Sequence, residues 1–307
     1  MAAAYLALAK SGDGGTSELH RRIEQARALL SPCRLCPRNC GIDRLADERS
    51  FCQTGRRASV ASYSAHFGEE RPLVGRGGSG TIFFAGCNLA CVFCQNHDIS
   101  HGAWGQQVEP QQLADMMVAL QNSGCHNVNF VSPTHVVPQI LEALPHAIER
   151  GLRVPLVYNC GGYESVETLR LLDGIVDIYM PDAKYADGAI AGRLSQAPDY
   201  PRRMQEALAE MHRQVGDLEL DERGVAVRGL LVRHLVLPDS LAGTAEVMRF
   251  IASLSDQTYV NLMDQYRPCH QAYRYPPLDR RITVEEYDQA LKMALYAGLS
   301  RLDDRFF

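Results

Sequence analysis

Lysine is nearly missing: Lys10, Lys184 and Lys292 are the only three among 31 basic residues. With no run of Lys and Arg and a formal net charge of -5, the chain lacks the electrostatic footprint of a nucleic-acid binder, so DNA and RNA are not expected partners. The preference for arginine hints at a GC-rich source. No apolar stretch approaches the length of a membrane helix, and no membrane partner is expected. The first ten residues are fairly apolar but lack the basic start of a signal peptide. They run into Ser11-Gly12-Asp13-Gly14-Gly15, so residues 1–15 read as a flexible tail and a cytoplasmic location follows. The glycine-rich run 75–80 lacks the Lys-Ser/Thr ending of a P-loop and reads as turn chemistry. At 307 residues, 46% hydrophobic and 22% charged, the chain suits one large α/β domain with an appendage.

Cysteine, by contrast, is plentiful. A reducing compartment disfavours a disulfide framework, and the ten cysteines have metal-like spacings. Cys87, Cys91 and Cys94 form a CxxxCxxC triplet. Thiolates are the ligands soft iron–sulfur clusters prefer, and a four-iron cluster takes one cysteine per iron. No fourth cysteine follows at short range, so one iron is left open. Zinc motifs usually pair two short CxxC-like halves, which a lone triplet does not. A second group, Cys33, Cys36, Cys40 and Cys52, is interleaved with Pro32, Pro37 and Gly41 and reads as a closed site for a structural zinc or an auxiliary iron–sulfur cluster. Cys125, Cys160 and Cys269 remain. Cys125 reads as an inert small hydrophobe, whereas Cys160 and Cys269 follow strand-like runs and are candidates to face a substrate.

Periodicity places a leading helix over 17–30, behind a Ser cap, and a hairpin around 58–63. Strand-like and helix-like segments then alternate. Strands are expected at 81–85, 128–131, 154–158, 175–180, 230–237 and 259–263. Helices are marked by Leu113, Met116 and Leu120, by Ile140, Leu144 and Ile148, and over 166–172, 189–194, 204–215 and 245–254. A further hairpin is expected around Asp221. The last helix opens with a capping box, Thr283 and Glu286, and carries Tyr287, Ala290, Leu291, Ala294 and Leu295 on one face. Repeated β-α units force parallel pairing, which pattern alone leaves open between a doubly wound sheet and a barrel.

The triplet, with an aromatic residue, Phe93, directly before its last cysteine, resembles the radical S-adenosylmethionine (radical SAM) superfamily. In that superfamily the open iron chelates the amino and carboxylate groups of the SAM methionine. Further stretches, 33–41, 80–87, 94–96 and 263–266, resemble its uncharacterised branch related to pyruvate formate-lyase activating enzyme. The resemblance runs from about Cys33 to the C-terminus. It implies an α/β fold, a partial (β/α)6 TIM-type barrel over 76–307 with its cluster loop directly after the first strand. An N-terminal cysteine-rich metal-binding extension over 16–75 would precede it.

In barrels of this kind reactive groups lie at the C-terminal ends of strands. The unit Asp182-x-Lys184 resembles the DxK motif of the activating-enzyme group, whose lysine lies beside bound SAM, and that role carries to Lys184. Ser132, Thr134 and Asn159 stand where radical SAM enzymes contact the methionine or ribose of SAM, although turn or cap roles suit them nearly as well. His135 reads either as a proton-handling group or as a packed residue at a helix start. Arg233 and His234 are adjacent on one strand, so alternation turns one to the lumen and the other to the outer helices. The cofactors implied are a 4Fe-4S cluster and S-adenosylmethionine.

By the resemblance, a reduced cluster passes an electron to SAM, giving methionine and a 5'-deoxyadenosyl radical that takes hydrogen from a substrate C–H bond. The leading expectation is epimerisation or a related modification of a small molecule, such as a natural-product sugar, or of a peptide. Cys160 or Cys269 would return hydrogen to the opposite face, and a flavodoxin or ferredoxin would donate electrons. The alternatives are an activase that installs a glycyl radical on a partner enzyme and a non-enzymatic iron–sulfur electron carrier.

Overall fold

β-branched and aromatic runs bounded by glycine and polar turns pair as strands across one sheet. The computed structural model describes residues 3–10, 17–102 and 104–303. Its strands are β1 (Ala58–His66), β2 (Ser79–Phe84), β3 (Gln106–Val108), β4 (Val128–Val131), β5 (Leu156–Cys160), β6 (Ile178–Pro181), β7 (Glu219–Leu220), β8 (Ala226–Leu235) and β9 (Tyr259–Met263). β2, β4, β5, β6, β8 and β9 pair in parallel in that order. β1 and β3 add antiparallel strands outside β2, and β7 pairs antiparallel with β8. The result is an α/β fold with a mixed sheet, the arrangement of a partial (β/α)6 barrel. The free edge of β9 is covered by the C-terminal segment, where Val260 N–H donates to Arg301 O (2.9 Å) and Asp303 N–H donates to Val260 O (2.9 Å).

Several expectations are corrected. The hairpin around 58–63 is one continuous strand, β1. Its partner is β2, reached through residues 67–78 rather than a tight turn, so β1 belongs to the main sheet and not to the N-terminal extension. β3 carries too little apolar alternation to be expected from three residues. Of the 1–15 tail, 1–2 and 11–15 lie outside the described residues. Tyr5–Leu8 forms a short helix whose Tyr5 is buried and donates to Val154 O (3.0 Å), because an aromatic ring with a satisfied hydroxyl is cheaper inside than in water. The capping box at Thr283 and Glu286 is present, and the hairpin at Asp221 is β7–β8. No helix among the described residues is long and apolar enough to cross a membrane.

Residues between β1 and β2 close the lower end of the barrel. The short helix Arg71–Val74 brings fully buried Leu73 against Val157, Ile178, Met180 and Leu231, which point inward from β5, β6 and β8. Asn127 clamps this plug from β4's side by donating to Leu73 O (2.9 Å). Replacing Leu73 by Ala removes the plug's apolar tip with little room for collapse, and should lower unfolding free energy by about 2–5 kcal/mol in urea denaturation. A loss below about 0.5 kcal/mol would show that the plug does not pack the lumen.

Candidate functional site

The cluster loop leaves β2 at Gly86, whose φ of 86° and 2.3 Å clearance between an added Cβ and Cys52 O admit only glycine. From there the three triplet thiols turn into a cavity of about 260 Å³ at the C-terminal ends of the strands. Each sulfur meets a donor or hydroxyl. Leu89 N–H points to Cys87 Sγ (3.4 Å), Ser195 Oγ donates to Cys91 Sγ (2.9 Å), and Cys94 Sγ lies 3.2 Å from Ser100 Oγ. Burial, reinforced by Cys91, pushes the Cys87 thiol up to about 12.

This donor set fits an iron–sulfur cluster. The Cys87 and Cys91 thiols, raised by burial, remain protonated unless a strong positive centre draws the protons off, and cluster iron supplies it. Among the described residues no three metal-binding side chains converge on a point for one ion, but a cluster does not need that, since each cysteine binds a different iron. The one further thiol and the one carboxylate lining the cavity, Cys160 and Asp182, are both engaged by other side chains. Cys160 bonds to the Glu164 carboxyl and is held protonated by burial and by that negative neighbour.

Asp182 organises the opposite wall. Its carboxylate accepts from Lys184 Nζ (2.6 Å) and from Arg233 Nε (2.8 Å). Burial opposes its ionisation, yet the two cations hold it below the usual carboxylate range. Burial likewise opposes the charge on Lys184, but Asp182 and Cys91 outweigh it and the amine stays charged. Arg233 also donates to Asn159 Oδ1 (2.7 Å) and lies 3.8 Å from both Glu69 and Glu70 on the plug. Glu70 in turn accepts from Asn261 of β9 (2.9 Å). One ionic network thus joins cavity, lumen and plug.

The structure sorts the remaining expected residues. Phe93, Ser132, Asn159, Asp182, Lys184 and Arg233 line the cavity with the triplet and Cys160. Thr134 does not, because its hydroxyl donates to Glu164 Oε1 (2.7 Å) behind the wall. His135 is buried against Ala85 O (2.9 Å) and burial lowers its pKa to about 4, so it is a neutral packed residue, not a proton carrier in the cavity. His234 faces outward, its ring between Ala183 O (2.6 Å) and Thr244 Oγ1 (2.9 Å), which leaves the lumen to Arg233. Cys269 sits in the loop after β9 and does not line the cavity.

Among the N-terminal cysteines, Cys33 packs with Leu29, Leu30 and Leu35, and burial raises the Cys36 thiol, with Cys52 and Cys40 acting in the same direction. Their segment reaches the cluster loop through Arg38, which donates to Asn88 O (2.9 Å) and Ser195 O (3.3 Å) with its guanidinium 3.7 Å from the Phe51 ring centre.

Residues not anticipated from sequence complete the site. Tyr200 Oη shares its one hydrogen between Gly161 O and Asp182 O (2.8 Å each) and accepts from Lys184 N–H (2.9 Å), tying the ends of β5 and β6 together. Gly162 permits this closeness, since an added Cβ would stand 2.2 Å from Asp182 O. Glu164, fully buried, also accepts from Tyr158 Oη (2.9 Å). A Glu-x-x-x spacing from Cys160 is no motif, and nothing in the sequence distinguishes these residues.

Residues 81–216 match the family model described as the radical SAM superfamily. An uncharacterized protein of Methanocaldococcus jannaschii is 34% identical over 296 residues, covering 93% of this chain and 81% of its own length. Among solved structures, the crystal structure of a radical SAM methyltransferase from Sphaerobacter thermophilus aligns with a TM-score of 0.47 and 16% identity. That alignment covers 71% of this chain, which spans 64% of the methyltransferase chain.

Burial raises the Glu164 carboxyl from an ordinary 4.5 to about 7, although the Thr134 and Tyr158 hydroxyls resist the rise. Between those values the native state keeps a proton that the unfolded chain has released. The contribution of Glu164 to stability is therefore fully present below about 4.5 and is lost as pH rises from there through about 7, by on the order of 3 kcal/mol. Glu164→Gln should flatten this slope in urea denaturation at about pH 5 and about pH 8. An unchanged slope would remove Glu164 as its source.

Proposed function

The chain belongs to the radical SAM superfamily of enzymes, and from that premise we propose that it modifies a substrate carbon by radical hydrogen exchange, with stereochemical inversion of a small molecule or peptide as its reaction. When bound, the 4Fe-4S cluster and S-adenosylmethionine supply one-electron cleavage of SAM to methionine and the 5'-deoxyadenosyl radical that removes the substrate hydrogen. The observation that carries the reading is Cys160, a cavity-lining thiol kept protonated. Only a protonated thiol has a hydrogen atom to give.

Each wall residue has a part in this reading. Cys87, Cys91 and Cys94 hold the cluster. Lys184, anchored by Asp182, offers a cation to the SAM carboxylate, while Asn159 and Ser132 offer polar contacts beside it. The ring of Phe93, edge-on to Tyr185 and Tyr266 at centroid distances of 6.4 and 6.0 Å, keeps one side dry. At Cys160 the S–H bond breaks, a C–H bond forms on the opposite face of the substrate radical, and a thiyl radical remains. One electron from a reductant such as flavodoxin or ferredoxin, with one proton relayed from solvent through the Glu164 carboxyl, restores the thiol. A second metal at Cys33, Cys36, Cys40 and Cys52, zinc or an auxiliary cluster, belongs to the same proposal, and its support is the influence of Cys40 and Cys52 on the Cys36 thiol. A glycyl-radical activase or an electron carrier would have no use for the Cys160 and Glu164 pair.

Under dithionite and SAM the wild type should form deoxyadenosine, and candidate substrates turned over in deuterated water should gain deuterium at the inverted carbon. Cys160→Ala should still form deoxyadenosine but give no inverted product. Unimpaired product formation by Cys160→Ala would overturn inversion through this thiol.

A further inference from the structure

A helix remote in sequence reaches the cluster loop and touches one of its sulfurs. The helix Gly188–Ser195 ends with Gln196 in the left-handed region, φ 53°, which leaves its last carbonyls free of the helix. The cluster loop takes them up: Val92 N–H donates to Leu194 O (2.9 Å) and Ala90 N–H to Ser195 O (3.3 Å). Between these two backbone bonds the Ser195 side chain points at the intervening cysteine, with Oγ 2.9 Å from Cys91 Sγ. Ser195 is fully buried, and its other near neighbour is the hydroxyl of Tyr185 at 2.7 Å. Since a serine hydroxyl has one hydrogen, Tyr185 donates to Ser195 and Ser195 donates to the sulfur. Tyr185 is itself fully buried and gripped edge-on by Phe93 and Tyr200, whose ring centre lies 5.4 Å away.

We propose that Ser195, oriented by Tyr185, is a positioning residue that sets the reduction potential of the cluster through its hydrogen bond to Cys91. The inference rests on the cluster reading above. The other two sulfurs have partners from their own loop, Leu89 N–H at 3.4 Å and Ser100 at 3.2 Å, whereas Cys91 has a shorter contact from 104 positions away. A donor aimed at a ligating thiolate stabilises the extra negative charge of the reduced cluster, and in a water-free setting that dipole acts at close to full strength. A serine needed only to fill space would leave the potential alone.

The test uses the full chain, reconstituted anaerobically, with iron counted and the cluster midpoint potential measured by EPR-monitored titration without SAM. Ser195→Ala should keep its iron and titrate at a more negative potential. Tyr185→Phe should move the same way by less, and Ser195→Thr, which retains a hydroxyl, should stay near the wild type. An iron-replete Ser195→Ala at the wild-type potential overturns the proposal. Should Ser195→Ala fail to hold iron, Tyr185→Phe decides: a negative shift supports the hydrogen bond and an unmoved potential overturns it. A wild-type chain that binds no cluster overturns both this inference and the cluster reading, whereas an intact cluster with an indifferent potential overturns this inference alone.

Discussion

Three thiols share one loop at the end of β2, and the further thiol and the carboxylate that line the same cavity are already committed. Cys160 is bonded to Glu164, Asp182 is locked between Lys184 and Arg233, and no histidine is among the residues lining the cavity. That commitment is a property of the fold as much as of the triplet. Freeing Asp182 would leave Lys184 and Arg233 buried without their shared anion, a loss of about 3–5 kcal/mol for a buried pair broken on one side. Freeing Cys160 would expose Glu164 to the cavity. The wall therefore keeps its thiol and its carboxylate engaged while offering polar contacts to a ligand.

That arrangement depends on contacts that cross the sheet rather than run along it. Tyr200 fastens the ends of β5 and β6, Arg233 carries the ionic network down to the plug, and Arg38 and Ser195 pin the cluster loop from two sides. The N-terminal cysteine segment is part of this clamp, since Cys52 O lies directly over Gly86. A disturbance of that segment has a short route to the triplet. Its Cys33 is buried against Leu29, Leu30 and Leu35.

Much of the architecture was legible in the sequence because its signals are local. The six parallel strands follow from alternating β and α patterns, and the triplet and the Asp182-x-Lys184 unit are short motifs whose residues stay neighbours in space. Direction was not legible. Arg233 and His234 exchange roles on a one-residue slip, and only the pairing of Arg233 with Asn261 in β9 fixes which faces inward. β1 was misread as a hairpin because strand propensity carries no information about a partner beyond residues 67–78. Ser195, Tyr185, Tyr200 and Glu164 were missed for a related reason: each acts through one buried hydroxyl or carboxyl whose partner is set by packing, with no periodicity to announce it.

The central claim is that one iron of a cluster at Cys87, Cys91 and Cys94 has no protein ligand and accepts S-adenosylmethionine. The most direct measurement is the EPR spectrum of the reduced, reconstituted protein before and after SAM is added. A spectrum that changes on addition, and that does so in Cys160→Ala as well, is the result this account predicts. A cluster signal indifferent to saturating SAM would mean that the fourth position is already filled, and would contradict it.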